Sequence, residues 1–163
     1  MAGERIEVRR VVGAGRPTIF EVLCDPSGHV AIDSSGMLMS SAAGPVHAPG
    51  DSFVVEMNRE ALGDRPMGDY RVVVTIVTFR PDREIAWKVA GERRPSAGHV
   101  FGYVLEDVDS GTAVTSYYDW SAVDAVVKQA GIFPVLSEGT LRATLRATLG
   151  ILARTVEHRP RPR

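Results

Sequence analysis

The sequence predicts an α+β domain: seven strands in an antiparallel meander, two short helices after the first strand, and one long helix at the end. Three observations predict it. Several segments alternate apolar and polar residues with a period of two, as half-buried strands do. Short turn signals separate most of them, which makes them antiparallel neighbours. Residues 137–157 switch to a helical period. The chain has 163 residues, enough for one domain with one sizeable core.

The elements follow in order. Residues 4–12 alternate Ile6 and Val8 against Arg5, Glu7 and Arg9, a strand. Arg16-Pro17 opens a short helix, with proline in the first turn where no amide donor is needed. Ile19, Phe20, Leu23 and Cys24 share one of its faces, and Asp25-Pro26 ends it because the residue before proline avoids helical geometry. Residues 27–32 fit a second helical turn before Asp33-Ser34-Ser35-Gly36. Strands are then predicted at 37–41, 51–59, 69–80, 84–91, 99–107 and 112–121, the last two joined by the hairpin turn Asp109-Ser110-Gly111. In the final helix Leu141, Leu145, Leu149, Leu152 and Val156 step by three or four residues, while Arg142, Arg146 and Arg154 lie off that stripe. Residues 1–157 are expected to form the domain. Residues 158–163 alternate Pro and Arg, cannot continue the helix, and read as a frayed basic tail.

Composition excludes several functions. Nineteen basic residues against 20 acidic ones leave a net charge of −1, so no overall field draws the chain to nucleic acid. No apolar run approaches the ~20 residues of a membrane span. The first ten residues lead directly into the charged strand, without an apolar secretion segment. A single cysteine, Cys24, forms no internal disulfide and reads as a small buried hydrophobe. A cytoplasmic protein is expected, monomer or homodimer being open.

The order of elements resembles the helix-grip fold of the START-like (SRPBCC) superfamily, in its polyketide cyclase/dehydrase and lipid-transport branch. Four blocks carry the likeness: Arg16 to Pro26 with His29 and Asp33 ahead of Gly36; Glu84-Ile85-Ala86-Trp87 after the Pro81-Asp82 turn; Phe101 to Glu106 with Gly111-Thr112 and Tyr118-Asp119-Trp120-Ser121; and Phe133-Pro134 before the last helix. The resemblance implies a curved sheet gripping the terminal helix around a cavity. One amphipathic helix does not readily fill the concave face of seven strands, which favours an apolar pocket there. The strand residues expected to face it are Phe53, Val55, Met57, Trp87, Val89, Phe101, Tyr103, Tyr118 and Trp120. From the helix side come Phe133, Leu136, Leu141, Leu145 and Leu149. Met37, Met39 and Met57 suit adaptable pocket walls or simple gap-filling.

Catalytic motifs are scarce. The histidines His29, His47, His99 and His158 have no metal-ligand spacing, no serine sits in a nucleophile elbow, and no phosphate-binding glycine loop is present. No cofactor is expected. His29 and Asp33, four apart on one helix face, are the acid–base candidates, a carboxylate beside an imidazole keeping it basic near neutral pH. The competing reading is a pair that caps the loop at residues 34–36. Arg59, Asp69 and His99 are further polar candidates at strand ends. Two functions therefore compete: a binding module for a small hydrophobic ligand (lipid, polyketide or aromatic), and a polyketide cyclase or dehydratase. A third, an interaction protein, would require an apolar patch outside the cavity.

Overall fold

The computed structural model describes residues 3–58, 68–91, 95–131, 133–134 and 136–158. It contains strands β1 (Arg5–Val12), β2 (Leu38–Ser40), β3 (Ser52–Asn58), β4 (Asp69–Arg80), β5 (Glu84–Gly91), β6 (Val100–Val108) and β7 (Gly111–Asp119). The helices are α1 (Arg16–Cys24), α2 (Pro26–Ile32), α3 (Ala125–Gln129) and α4 (Glu138–Glu157). All strands belong to one antiparallel sheet in the order β1-β7-β6-β5-β4-β3-β2. The α+β architecture is the expected one. β1 and β2 are successive strands at opposite edges of the sheet, so α1 and α2 carry the chain across.

Local chemistry explains the helix junctions. Asp25 ends α1 in extended geometry, and its side chain then accepts from the Ser27 amide as the N-cap of α2. One residue thus stops one helix and starts the next. Ser137 caps α4 by accepting from the Thr140 amide at 3.2 Å. α3 was not anticipated from the sequence; Asp124 accepts from the Val126 amide to start it, a cap that hydrophobic periodicity does not register. β2 is shorter than the predicted 37–41. β3 ends at Asn58, and Arg59 lies outside the described residues, as do 159–163 of the tail.

The concave face holds one core. Leu141, Leu145, Leu149, Leu152 and Val156 of α4 are all buried against it. So are Ile6, Val8 and Val12 of β1, together with Val114 and Tyr118 of β7. The β4–β5 register shifts between Ile76 and Thr78. This bulge lets both Ile76, opposite Trp87, and Phe79, opposite Ile85, reach the inner face. Phe79 meets Phe20 of α1 edge-on, with ring centroids 5.4 Å apart.

The convex face carries a smaller packed device. Tyr117 lies across Gly102 of β6: a Cβ built on that glycine would stand 2.4 Å from the Tyr117 Cζ. The Tyr117 hydroxyl donates to Glu84 Oε2 at 2.9 Å, and the Arg5 guanidinium sits 3.9 Å from the ring centre. Glycine in mid-strand is required here by close approach. Gly102→Ala is expected to displace the ring and cost about 1–3 kcal/mol, read as a lower denaturant midpoint. An unchanged midpoint would show that the ring moves aside freely.

Candidate functional site

The expected inward-facing residues all lie in, or packed against, the single interior cluster, but they are closed in to different degrees. Phe53, Val55, Met57, Tyr103, Tyr118, Trp120, Leu141, Leu145 and Leu149 are buried. Trp87, Val89, Phe101, Phe133 and Leu136 are only half-buried. The half-buried set gathers at one end of the concave face, where β5 finishes, β6 begins and the chain enters α4. At the other end Ile85, Leu105, Val114 and Leu152 are tightly enclosed.

An aromatic array occupies the first of these ends. Trp87 stacks on Phe101 at 6.2 Å and tilts toward Tyr103 at 5.9 Å. Phe101 meets Tyr118 at 4.6 Å, and Tyr118 stacks on Trp120 at 5.5 Å. The register explains this. Trp87 pairs with Phe101 and Phe101 with Tyr118 across neighbouring strands, so one cross-strand row is aromatic over β5, β6 and β7.

Two histidines are built into this array. The His29 ring meets Trp87 edge-on at 4.7 Å, with Tyr103 at 6.5 Å. Its Nε2 is 2.6 Å from the Leu23 carbonyl oxygen. A carbonyl only accepts, so Nε2 carries the proton and the neutral ring presents Nδ1 as an acceptor. Burial holds the imidazole below its ordinary pKa, against the smaller opposing effects of the Leu23 carbonyl and Asp25. His99 is more completely engaged. Its Nδ1 is 2.9 Å from the Tyr118 hydroxyl, the Val89 backbone bonds the ring, and burial lowers its pKa to about 4. Its ring also packs edge-on against Phe133, at 5.0 Å. His99 ties β5, the approach to β6, and β7 together.

The His29–Asp33 pairing expected from the sequence does not form. Asp33 instead accepts from the Ser35 amide, the Ser35 hydroxyl and the Leu38 amide. It fixes the loop after α2, the capping role, while His29 turns to Leu23. The i,i+4 spacing failed as a guide because each side chain found a nearer backbone partner. Asp69 likewise takes a local partner, accepting from the Asn58 side-chain amide at 2.8 Å. Met57 is buried, Met37 packs on the core and Met39 is exposed. Cys24 is half-buried, and its thiol is pushed up to about 11, chiefly by burial, so it stays protonated and a poor nucleophile at neutral pH.

Three hydroxyl groups were missed. Ser116 is buried and hydrogen-bonds the Tyr103 hydroxyl, whose pKa burial raises. Ser34 donates to the Thr144 carbonyl at 2.9 Å and shares a 2.8 Å hydrogen bond with Thr148 of α4. Thr148 falls between Leu145 and Leu149 on the apolar stripe, a detectable signal of a buried hydroxyl in need of a partner. Among the described residues, no His, Cys, Asp and Glu group is placed to hold a metal ion. No described helix is long and apolar enough to cross a membrane.

Two surface depressions lie elsewhere. One, of about 290 Å³, runs along the β2–β3 edge past Ser41, Val54 and Glu56. The other, of about 310 Å³, is lined by charged residues including Arg16, Arg80 and Asp107. Neither is lined by a residue of the inward-facing set.

Comparison with known proteins supports the fold. No protein-family model matches the chain, and no curated protein matches it in sequence. Solved structures do. Protein CV1439 from Chromobacterium violaceum superposes with a TM-score of 0.69 at 14% identity, over 96% of this chain and 99% of that one. Protein NE0264 from Nitrosomonas europaea gives 0.69 at 13% identity, over 96% of each chain. DynU16, a protein of the dynemicin biosynthetic locus, gives 0.62 at 17% identity over 96% of this chain and 48% of its own. The shared feature is the fold: a sheet closed around a long C-terminal helix, in a helix-grip-like arrangement.

Proposed function

We propose that this chain is a START-like binding protein that encloses a small, mostly apolar molecule (a lipid, polyketide or other aromatic) between the concave sheet and α4. The observation that carries this reading is the uneven closure of one interior. Trp87, Val89, Phe101, Phe133 and Leu136 face inward at the same end of the sheet and remain half-buried, while Ile85, Leu105, Val114 and Leu152 toward the other end are buried. Half-covered aromatic surface gains about 25 cal/mol per Å² when a ligand covers it, and His29 Nδ1 supplies an acceptor to orient the molecule. The dynemicin-locus neighbour and the sequence resemblance agree with such a ligand.

Trp87→Ala is expected to weaken binding of an apolar fluorescent probe roughly 10-fold or more, as loss of a central aromatic anchor does, without altering the circular dichroism of the fold. Probe affinity in both Trp87→Ala and Tyr103→Ala equal to that of the unchanged protein would remove the pocket assignment. One observation favours a second reading, a polyketide cyclase or dehydratase. His29 is neutral and locked in one tautomer, as a base that takes a proton from an acyl chain must be. That reading requires His29→Gln to abolish turnover while the probe still binds. Turnover unaffected by this change would exclude His29 as the base.

A further inference from the structure

The seam between β1 and α4 brings Arg10 and Arg154 together, and neither forms an ion pair among the described residues. Arg10 has the parity of Ile6, Val8 and Val12 and so emerges on the helix side of β1, yet it is exposed. On α4, Arg142, Arg146 and Arg154 are exposed too, and with Gly150 they mark successive turns of one helix face. Arg10 and Arg154 converge on that glycine. The point where a Gly150 Cβ would stand is 3.6 Å from Arg154 Nη1 and 3.8 Å from Arg10 Nη1.

The nearby acids are committed elsewhere. Glu157 accepts from the Gly13 amide at 3.0 Å, and Glu7 pairs with Arg5 at 2.7 Å. Among the described residues, Arg10, Arg146 and Arg154 form no ion pair. Arg142 reaches only the Glu7 carbonyl, at 3.5 Å. Like charges one turn apart disfavour a helix, and two guanidiniums converging on one spot repel. A bound anion would relieve both. The net charge of −1 makes such an attraction local to this seam.

The geometry points to a phosphate-binding site formed by Arg10 and Arg154 over Gly150, with Arg146 one turn away. Guanidinium forks match the oxygens of a phosphate group and remain charged at every physiological pH. The neighbouring Ala143 and Ala147 are exposed and small, so a flat surface can approach the arginines closely. The phosphate has two sources that this chemistry does not separate, a lipid headgroup and a soluble phosphate.

The test uses the full chain and Arg10→Gln/Arg154→Gln. Phosphatidylglycerol-containing vesicles and pure phosphatidylcholine vesicles are compared by co-sedimentation. Inorganic phosphate is titrated while the arginine Nε–H resonances are followed. Binding to the anionic vesicles is expected to fall about 5-fold for each arginine removed, roughly 30-fold for the pair. It should disappear near 1 M salt, where the Debye length is about 3 Å. Vesicle binding with these losses assigns the site to a lipid headgroup. Resonance shifts with inorganic phosphate alone, lost in the double variant, assign it to a soluble phosphate. No response to either probe, or a response that the double variant retains, overturns the proposal.

Discussion

Acidification from pH 6.5 to about 4 is expected to remove roughly 3 kcal/mol of stability through His99 alone. In the unfolded chain this histidine takes up its proton near its ordinary pKa of 6.5, whereas burial in the fold lowers that value to about 4. Between the two values the unfolded state binds more protons, so stability falls as pH falls. A pKa lowered from 6.5 to about 4 corresponds to roughly 3 kcal/mol. The contribution is complete above pH 6.5 and gone below about 4. His29, whose pKa burial also lowers, acts in the same direction. The depressed Asp119 carboxyl adds its own loss only near and below pH 3.8, beneath the histidine window. Denaturant unfolding across this range should therefore show a slope that His99→Gln reduces. The same slope in wild type and His99→Gln would mean that His99 is not held neutral by burial.

Leu149→Ala is expected to cost about 2–5 kcal/mol, the range for deleting a leucine side chain from a packed core. Leu149 is 0% exposed and belongs to the buried core cluster, so its truncation leaves a hole in close-packed surroundings. Val126, 74% exposed on α3, provides the contrast, since Val126→Ala should change stability by no more than about 0.5 kcal/mol. Equilibrium unfolding of both variants checks the pair. A Leu149→Ala cost below about 1 kcal/mol would show that the helix and sheet are loosely packed at this point as well.

How far the site was legible follows from particular residues. Alternation placed Trp87, Phe101, Tyr103 and Tyr118 on one face, because side-chain direction in a strand repeats every second residue. It says nothing about how far each is covered, which depends on segments distant in sequence. His99 reads from the sequence as a polar candidate at a strand end, whereas pairing with Tyr118 from β7 makes it a tether. Asp33 looked like a partner for His29, but the backbone amides of the following loop were nearer. Tyr117 has outward parity yet is buried, because Gly102 on the next strand offers it a place to lie. The lone mid-strand glycine was the only sign of this in the sequence.

Local periodicity and turn chemistry by themselves determined the order and type of nearly every element, the helix stripe and the inward face of the strands, since these depend on neighbours a few residues apart. Tertiary structure alone decided the β4 bulge, the fate of the two histidines, the closed and half-open ends of the interior, and the meeting of Arg10 with Arg154. Each of these sets groups far apart in the chain in competition for the same space or the same proton, and only the assembled fold specifies the winner.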